Sequence, residues 1–167
     1  MNGFGPLAAA GIVAGVLGAS ALLGRRNAPD PSHPDVDRWY RGLNKPPFTP
    51  PKPVFGAVWP ALETGMAVGG YRLLRRPRGG ARNAALGLWL GVTGLIGGWT
   101  EVFFRKRALG ASTGLAVAMP GASAAYVATA RRVDRPAAWA GVPLTAWLAF
   151  ASLLSEEILR RNKQADA

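Results

Sequence analysis

Residues 84–104 read AALGLWLGVTGLIGGWTEVFF, a run of 21 residues in which Glu101 is the one charged side chain. A helix of about 20 apolar residues spans the ~30 Å hydrocarbon core of a bilayer. Helices also satisfy their own backbone hydrogen bonds in lipid, whereas open strands do not. The run therefore predicts a transmembrane helix, and it sets the fold class of the chain.

Four further apolar runs accompany it, at residues 4–23, 54–74, 109–130 and 138–159. Short clusters of arginine and lysine separate the five runs, a pattern typical of anchoring at the membrane interface. The first run lacks a basic segment before it, so we expect a retained helix rather than a signal peptide. We therefore expect an all-α, multi-pass integral membrane protein, with one domain over residues 1–167 and five transmembrane helices.

The composition excludes several kinds of site. Charged residues make up 17 % of the 167 residues, against roughly 25 % in soluble domains. The net charge is +11, but the cations lie between apolar runs, which argues against nucleic-acid binding. With no cysteine and one histidine, His33, we expect no metal site and no required cofactor.

The first loop, residues 25–53, is much longer than the others and is rich in proline from Lys45 to Pro53. It is either a solvated linker or a folded lid over one end of the bundle. Long loops in compact domains are usually functional. Apolar side chains within it favour the lid, namely Trp39, Tyr40, Leu43 and Phe48.

Glycines recur at helical spacing in three runs, which lets helices approach closely in membranes. For the pairs Gly11/Gly15 and Gly65/Gly69 we expect packing within the bundle. For residues 84–104 two interpretations stay open, packing within the bundle or a homodimer seam. The glycines concerned are Gly87, Gly91, Gly94 and Gly98.

Acidic residues within a membrane span are costly and are functional candidates by default. Glu63 has no cationic neighbour three or four residues away, so we expect it to line a ligand cavity. The other acids have a basic residue four positions on, as in ordinary helix-surface pairs. These pairs are Glu101–Arg105, Glu156–Arg160 and Glu157–Arg161.

Residues 39–66 carry the pattern W-Y-x-x-L-x-K-P-x-F-x-P-P-x-x-x-F-x-x-V-W-x-x-L-x-x-x-M. Further matching runs are Trp99-x-x-x-Phe103-Phe104 and Pro143-x-x-Ala146-Trp147-x-x-Phe150. Together they resemble the signature of the TspO/MBR family, the translocator proteins or tryptophan-rich sensory proteins. The resemblance covers the chain from about Arg38 to Arg160.

The resemblance implies a five-helix bundle, often dimeric, with a pocket beneath the first loop. In that family the pocket takes porphyrins, haem-related tetrapyrroles and, in animals, cholesterol, and some bacterial members promote light-dependent porphyrin breakdown. Each tryptophan carried over has the alternative of an interface belt or core filler. The ligand-binding candidates that the resemblance carries over are Trp39, Phe48, Trp59, Trp99, Phe103 and Trp147, beside Glu63.

The chain departs from the family pattern at several pocket positions. Glu63 stands where the family has an aromatic residue. Val92 and Ile96 replace polar residues of the third span, and Leu144 and Ser155 replace a tyrosine and an asparagine of the fifth. The pocket is thus repolarised, having lost amides and phenols and gained carboxyls.

Three hypotheses about function follow. The first, favoured by the resemblance, is binding of a lipophilic, tetrapyrrole-like ligand for sensing, transport or breakdown. The second is a membrane enzyme in which Glu63, with Glu101 or Glu156, is a general acid or base on a lipophilic substrate such as an isoprenoid. The third is a structural membrane subunit that uses the glycine seam.

Overall fold

The computed structural model describes residues 2–163, and within that range the protein is all-helical with no strand. A π-helical turn, Glu101–Arg105, continues the fourth α-helix. The six α-helices are α1 (Pro6–Asn27), α2 (Pro34–Gly42), α3 (Lys52–Arg75), α4 (Gly80–Thr100), α5 (Leu109–Ala130) and α6 (Arg135–Lys163).

The five long helices form a closed ring. In space, α1 contacts α4, α4 contacts α5, α5 contacts α6, α6 contacts α3, and α3 returns to α1. Helices α3 and α4 also touch across the middle of the ring. The short helix α2 lies against the π-helical turn.

Two large side chains fill the middle of the ring, and each depends on a glycine of α3. Trp89 is buried and donates a hydrogen bond from Nε1 to the Met66 carbonyl, 2.9 Å away. A Cβ atom at Gly70 would lie 2.5 Å from the Trp89 ring, so that position tolerates no side chain. Tyr126, also fully buried, is accommodated in the same way by Gly69.

Most of the helices extend beyond the apolar runs that the sequence indicates. Helix α1 continues to Asn27, α4 begins at Gly80, and α6 runs from Arg135 to Lys163. Arginine and lysine are good helix formers, so the helices continue into their basic flanks. The loop expected at residues 25–53 is accordingly shorter, and nine of its residues form α2. Residues 28–53 are called the connecting segment below.

Among residues 2–163, three helices are long and apolar enough to cross a membrane, namely α1, α4 with its π-helical turn, and α6. The other two long helices are α3 and α5. Helix α3 contains Glu63 and Arg72, and α5 is rich in alanine, glycine and serine. The protein is a multi-pass integral membrane protein.

A buried carboxylate joins two of the helices at one end of the ring. Asp134, between α5 and α6, accepts hydrogen bonds of 2.8 Å from Arg72 Nε, from Arg76 Nε and from the backbone N–H of Ala137. Burial alone would raise the pKa of Asp134, but these hydrogen bonds outweigh it and lower the pKa to about 2. The ion pairs fix the end of α3 against the start of α6.

The glycine stripes divide into packed and exposed sets. Gly65 and Gly69 meet α6 and Tyr126, which confirms packing within the bundle. Gly11 and Gly15 have no neighbouring atom within 4 Å, so that expectation is wrong for α1. On α4 the packed interpretation is also wrong, because the side that packs against α1 carries Gly97 instead. The α4 glycines that are exposed with nothing within 4 Å are Gly87, Gly91, Gly94 and Gly98.

Candidate ligand-binding site

Five aromatic residues from two parts of the chain meet where α4 ends, and we call them the first aromatic cluster. Trp99 stacks on Phe103, with ring centroids 4.7 Å apart and 15° between the planes. Trp39 of α2 meets Phe103 edge to face, at 5.6 Å. The other members, also in edge-to-face contacts, are Tyr40 and Phe104.

The π-helical turn shapes this cluster. Lys106 N–H donates to the Glu101 carbonyl five residues earlier, at 3.0 Å. The wider turn changes where Phe103 and Phe104 point, and π-helical turns are frequent at functional sites. Arg107 follows with φ of 53°, a backbone conformation that a non-glycine residue adopts at a cost. Its guanidinium lies 5.7 Å from the centroid of the Trp39 ring.

A fully buried amide lies beside the same turn. Asn27, the last residue of α1, donates from Nδ2 to Thr100 Oγ1 at 3.0 Å. Its Oδ1 is buried and accepts no hydrogen bond from any residue between 2 and 163. An unpaired buried acceptor is uncommon and calls for a partner such as water or a ligand donor. Nothing in the sequence indicates it, because Asn27 follows two arginines at what reads as a solvated helix end.

The connecting segment is held together by its own charges. Asp37 of α2 is buried and pairs with Lys52 at 2.8 Å and Arg41 at 2.6 Å. The hydrogen bond from Lys52 is the main cause of the lowered pKa of Asp37. Lys45 donates to the Tyr40 and Leu43 carbonyls at the end of α2. The segment also bonds to α6, because Asn162 accepts from the Asn44 N–H and donates to the Asn44 carbonyl.

A second aromatic cluster joins the connecting segment to α3 and α6. Trp147 meets Phe55 at 5.8 Å and Phe150 at 5.4 Å between ring centroids. Phe48, in the connecting segment, contacts Phe150 at 6.3 Å and remains half exposed. These four residues constitute the second aromatic cluster.

Trp59 belongs to neither cluster and lines a small cavity with Glu63. The cavity measures about 20 Å³, room for about one water molecule, and lies between α1, α3, α4 and α6. Its polar neighbours are already committed, since Ser20 donates to the Thr93 carbonyl and Thr93 to the Trp89 carbonyl. Glu63 makes no ion pair within the part of the chain that the structure describes. The other lining residues are Leu17, Leu62, Met66, Ile96 and Leu144.

The three acids of the enzyme hypothesis do not lie together in one site. Glu156 is exposed on α6, Glu101 is half-buried in the π-helical turn, and Glu63 faces the cavity. Residues 2–163 hold no group of three acidic or histidine side chains suited to a metal ion. The structure brings together Trp39, Trp99 and Phe103 in one place, Phe48 and Trp147 in another, and Trp59 with Glu63 in a third.

Of the three expected acid–arginine pairs, only Glu157–Arg161 forms, at 2.7 Å. Arg160 also pairs with Glu157 rather than with Glu156, which faces outward. Glu101 has no ion pair with Arg105 in the described range. In the π-helical turn, residues four apart no longer align on one side of the helix.

The aromatic partners Tyr40, Phe55, Phe104 and Phe150 were not among the expected site residues. The sequence indicated two of them. Phe104 adjoins Phe103, and Phe150 follows Trp147 by three residues, which places both on the same side of the helix.

Comparison with known proteins then decides the family. A family model described as TspO/MBR family matches residues 9–161 of the chain. The chain belongs to the TspO/MBR family. It is 35 % identical over 132 residues to the human translocator protein, which covers 78 % of both chains. It is 34 % identical over 128 residues to the translocator protein of Ovis aries, 75 % of this chain and 76 % of that one. It is 30 % identical over 129 residues to the tryptophan-rich sensory protein of Cereibacter sphaeroides, 75 % of this chain and 78 % of that one.

Three of the positions that we expect to depart from the family pattern lie together, since Ile96 and Leu144 line the same cavity as Glu63.

Proposed function

We propose that this TspO/MBR protein binds a flat, lipophilic, tetrapyrrole-like ligand beneath the connecting segment, for sensing, transport or breakdown of that ligand. The observation that carries the proposal is the first aromatic cluster, in which Trp39 of the segment meets Phe103 of the bundle, and Trp99 stacks on the same Phe103. Aromatic faces offer large, rigid contact area to a planar ligand. No resident cofactor is needed for this function.

The proposal includes five membrane spans with the connecting segment as a lid. In the ring, α3 and α5 each lie between two of the three strongly apolar helices. We therefore place α3 and α5 at the same depth in the bilayer as those helices. The segment covers the end of the bundle where α1 and α4 finish and α3 begins. It touches the bundle through aromatic edges, the Asn44–Asn162 pair and the ion pair between Asp37 and Lys52, the first residue of α3.

A ligand of this size enters only if the lid moves. The cavity at Glu63 holds about 20 Å³, whereas pockets for drug-sized molecules hold ~300–1,000 Å³. Displacing α2 exposes Phe103 and Trp99 and opens the space between the first aromatic cluster and the cavity. Such lid motions occur on the microsecond-to-millisecond scale.

Positive charge beside the first aromatic cluster suits a ligand that carries carboxylates. Lys45 and Lys52 are engaged within the segment, Lys45 with α2 carbonyls and Lys52 with Asp37. Arg107 lies over Trp39 and has no acidic partner among residues 2–163. We assign it the propionate contact, because a guanidinium binds a carboxylate in a bidentate manner.

The proposal extends to a homodimer through α4, whose exposed glycines, from Gly87 to Gly98, leave a flat strip for a second copy. Because the chain has no cysteine, a Gly91→Cys protein reports this contact by disulfide crosslinking in membranes, with Ala124→Cys on the exposed side of α5 as control. Crosslinking by Gly91→Cys alone supports the seam, and equal crosslinking by both contradicts it.

Titration of protoporphyrin IX into the protein in nanodiscs tests the central proposal, with tryptophan quenching and porphyrin absorbance as readouts. Saturable binding at micromolar concentration, one porphyrin per chain, supports it. Binding that rises without saturation, as in protein-free nanodiscs, contradicts it. Arg107→Gln should weaken binding of protoporphyrin IX about tenfold, but not binding of its dimethyl ester, which lacks the carboxylates.

A further inference from the structure

A groove runs along the outside of the ring between α1 and α3, at the opposite end of α3 from the first aromatic cluster. It measures about 540 Å³, within the ~300–1,000 Å³ range of small-molecule sites. Its walls are short apolar side chains, among them Ala10, Val13 and Ala14 of α1 and Val68 of α3. Helix α1 buries only Ala9, Val13 and Asn27, so the protein itself leaves the groove open.

Two polar side chains close one end of the groove, Tyr71 and Arg72. Asp134 holds the Arg72 guanidinium through Nε at 2.8 Å. The terminal nitrogens of Arg72 and the hydroxyl of Tyr71 donate no hydrogen bond to any residue in the described range. An oriented guanidinium with free terminal N–H groups matches the geometry of a phosphate.

The surrounding charge favours an anion. Residues 72–82 and 131–135 contain eight arginines, and Asp134 is their one acid. That carboxylate is already shared by Arg72, Arg76 and the Ala137 N–H. Clusters of arginine at a membrane surface attract anionic lipid headgroups.

We propose that this groove binds one anionic phospholipid from the surrounding bilayer, with an acyl chain between α1 and α3 and its phosphate on Tyr71 and Arg72. Arg72 lies three residues before the end of α3 at Arg75, about 5 Å at 1.5 Å per residue. This depth fits a headgroup above and a chain below. The site is separate from the proposed tetrapyrrole site and does not depend on it.

Native mass spectrometry of the detergent-purified protein tests the proposal, with added palmitoyl-oleoyl phosphatidylglycerol, the phosphatidylcholine of the same chains, or cholesterol. One phosphatidylglycerol should be retained per chain. Ala10→Leu fills the groove and should reduce retention about tenfold. Ala8→Leu is the matched control, since Ala8 is an exposed alanine of α1 outside the groove, and it should change nothing.

Two further variants distinguish a specific phospholipid site from general electrostatic attraction of anionic lipid to the arginines. Tyr71→Phe removes only the hydroxyl and should lower retention about threefold. Arg75→Gln removes an exposed charge at the same end but not at the groove, and should leave retention unchanged. Thermal melting confirms that each variant is folded. Equal retention by Ala10→Leu and Ala8→Leu, a loss with Arg75→Gln as large as with Tyr71→Phe, or equal retention of phosphatidylcholine or cholesterol overturns the proposal.

Discussion

Trp99 stacks on Phe103 with 4.7 Å between ring centroids, and the edge of Trp39 contacts the same Phe103 ring. Phe103 is thus shared by the bundle and the connecting segment. Movement of α2 would remove Trp39 from one side of this ring and leave the Trp99–Phe103 pair accessible. In the proposed function, a planar ligand would take the place of Trp39 against Phe103 and make a larger aromatic contact.

Replacing Trp39 should weaken the binding of protoporphyrin IX. Trp39→Leu removes one aromatic wall, which contributes ~0.5–1.5 kcal/mol beyond area burial, so the Kd should rise about three- to tenfold. Titration in nanodiscs measures it. Trp139→Leu is the matched control, because Trp139 is 71 % exposed on α6 and belongs to neither aromatic cluster. An equal loss in both variants would show that tryptophan content alone, not the site, governs the signal.

Replacing Glu63 should separate stability from binding. Glu63→Leu removes an unpaired carboxyl from α3, which we propose spans the membrane, and acids cost ~2.5–3.5 kcal/mol at the centre of a membrane helix on insertion scales. We therefore expect a higher melting temperature together with an altered porphyrin affinity. Glu156→Leu on the exposed side of α6 is the comparison, and it should leave affinity unchanged. If Glu63→Leu also leaves affinity unchanged, Glu63 lies outside the ligand site.

Much of the architecture was predictable because lipid imposes it. Apolar runs of about 20 residues must be helical in a bilayer, and the run at residues 84–104 corresponds to most of α4 and its π-helical turn. The helix ends were less predictable, because arginine-rich flanks continue a helix without an apolar signal. The family could also be predicted from the sequence, because the pattern at residues 39–66 places aromatic and proline residues at spacings that resemble the TspO/MBR signature.

The arrangement of the site was not predictable from the sequence. The Asp134 ion pairs join residues 58 and 62 positions apart, and local spacing gives no hint of them. Trp59 and Trp39 both belong to the family pattern, yet one lines the Glu63 cavity and the other the first aromatic cluster. The side that each tryptophan faces depends on helix rotation and on the π-helical turn.

Asp134→Asn should destabilise the protein by ~1.5–3 kcal/mol, because it removes the buried charged acceptor of the hydrogen bonds from Arg72 and Arg76, whose own side chains are partly exposed. Thermal melting in detergent measures this. The folded pKa of about 2 lies below the ordinary 3.8, so the carboxylate contributes stability that is complete well above pH 3.8 and is lost as pH falls through 2. Melting between pH 6 and pH 2 should therefore decline more steeply for the wild type than for Asp134→Asn. Parallel pH profiles would contradict this assignment.

Gly70→Ala should destabilise the ring by ~1–3 kcal/mol, since the added methyl would collide with the buried Trp89 ring. Gly114→Ala on α5 is the matched control, because that glycine is exposed, has no atom within 4 Å and lies outside the proposed dimer strip, so the variant should not destabilise the protein. Melting of both variants in detergent compares them. Equal melting temperatures would place Trp89 away from Gly70.

Locking the connecting segment tests most directly whether the ligand site lies beneath it. The chain has no cysteine, so Asn44→Cys with Asn162→Cys introduces one pair, at residues that bond to each other in the structure. Stopped-flow tryptophan quenching by protoporphyrin IX is then compared for oxidised and reduced protein, with the disulfide checked by mass. We expect at least tenfold slower association of protoporphyrin IX when the protein is oxidised, and the faster rate should return when reductant is added. Identical association rates in both forms would contradict a site beneath this segment.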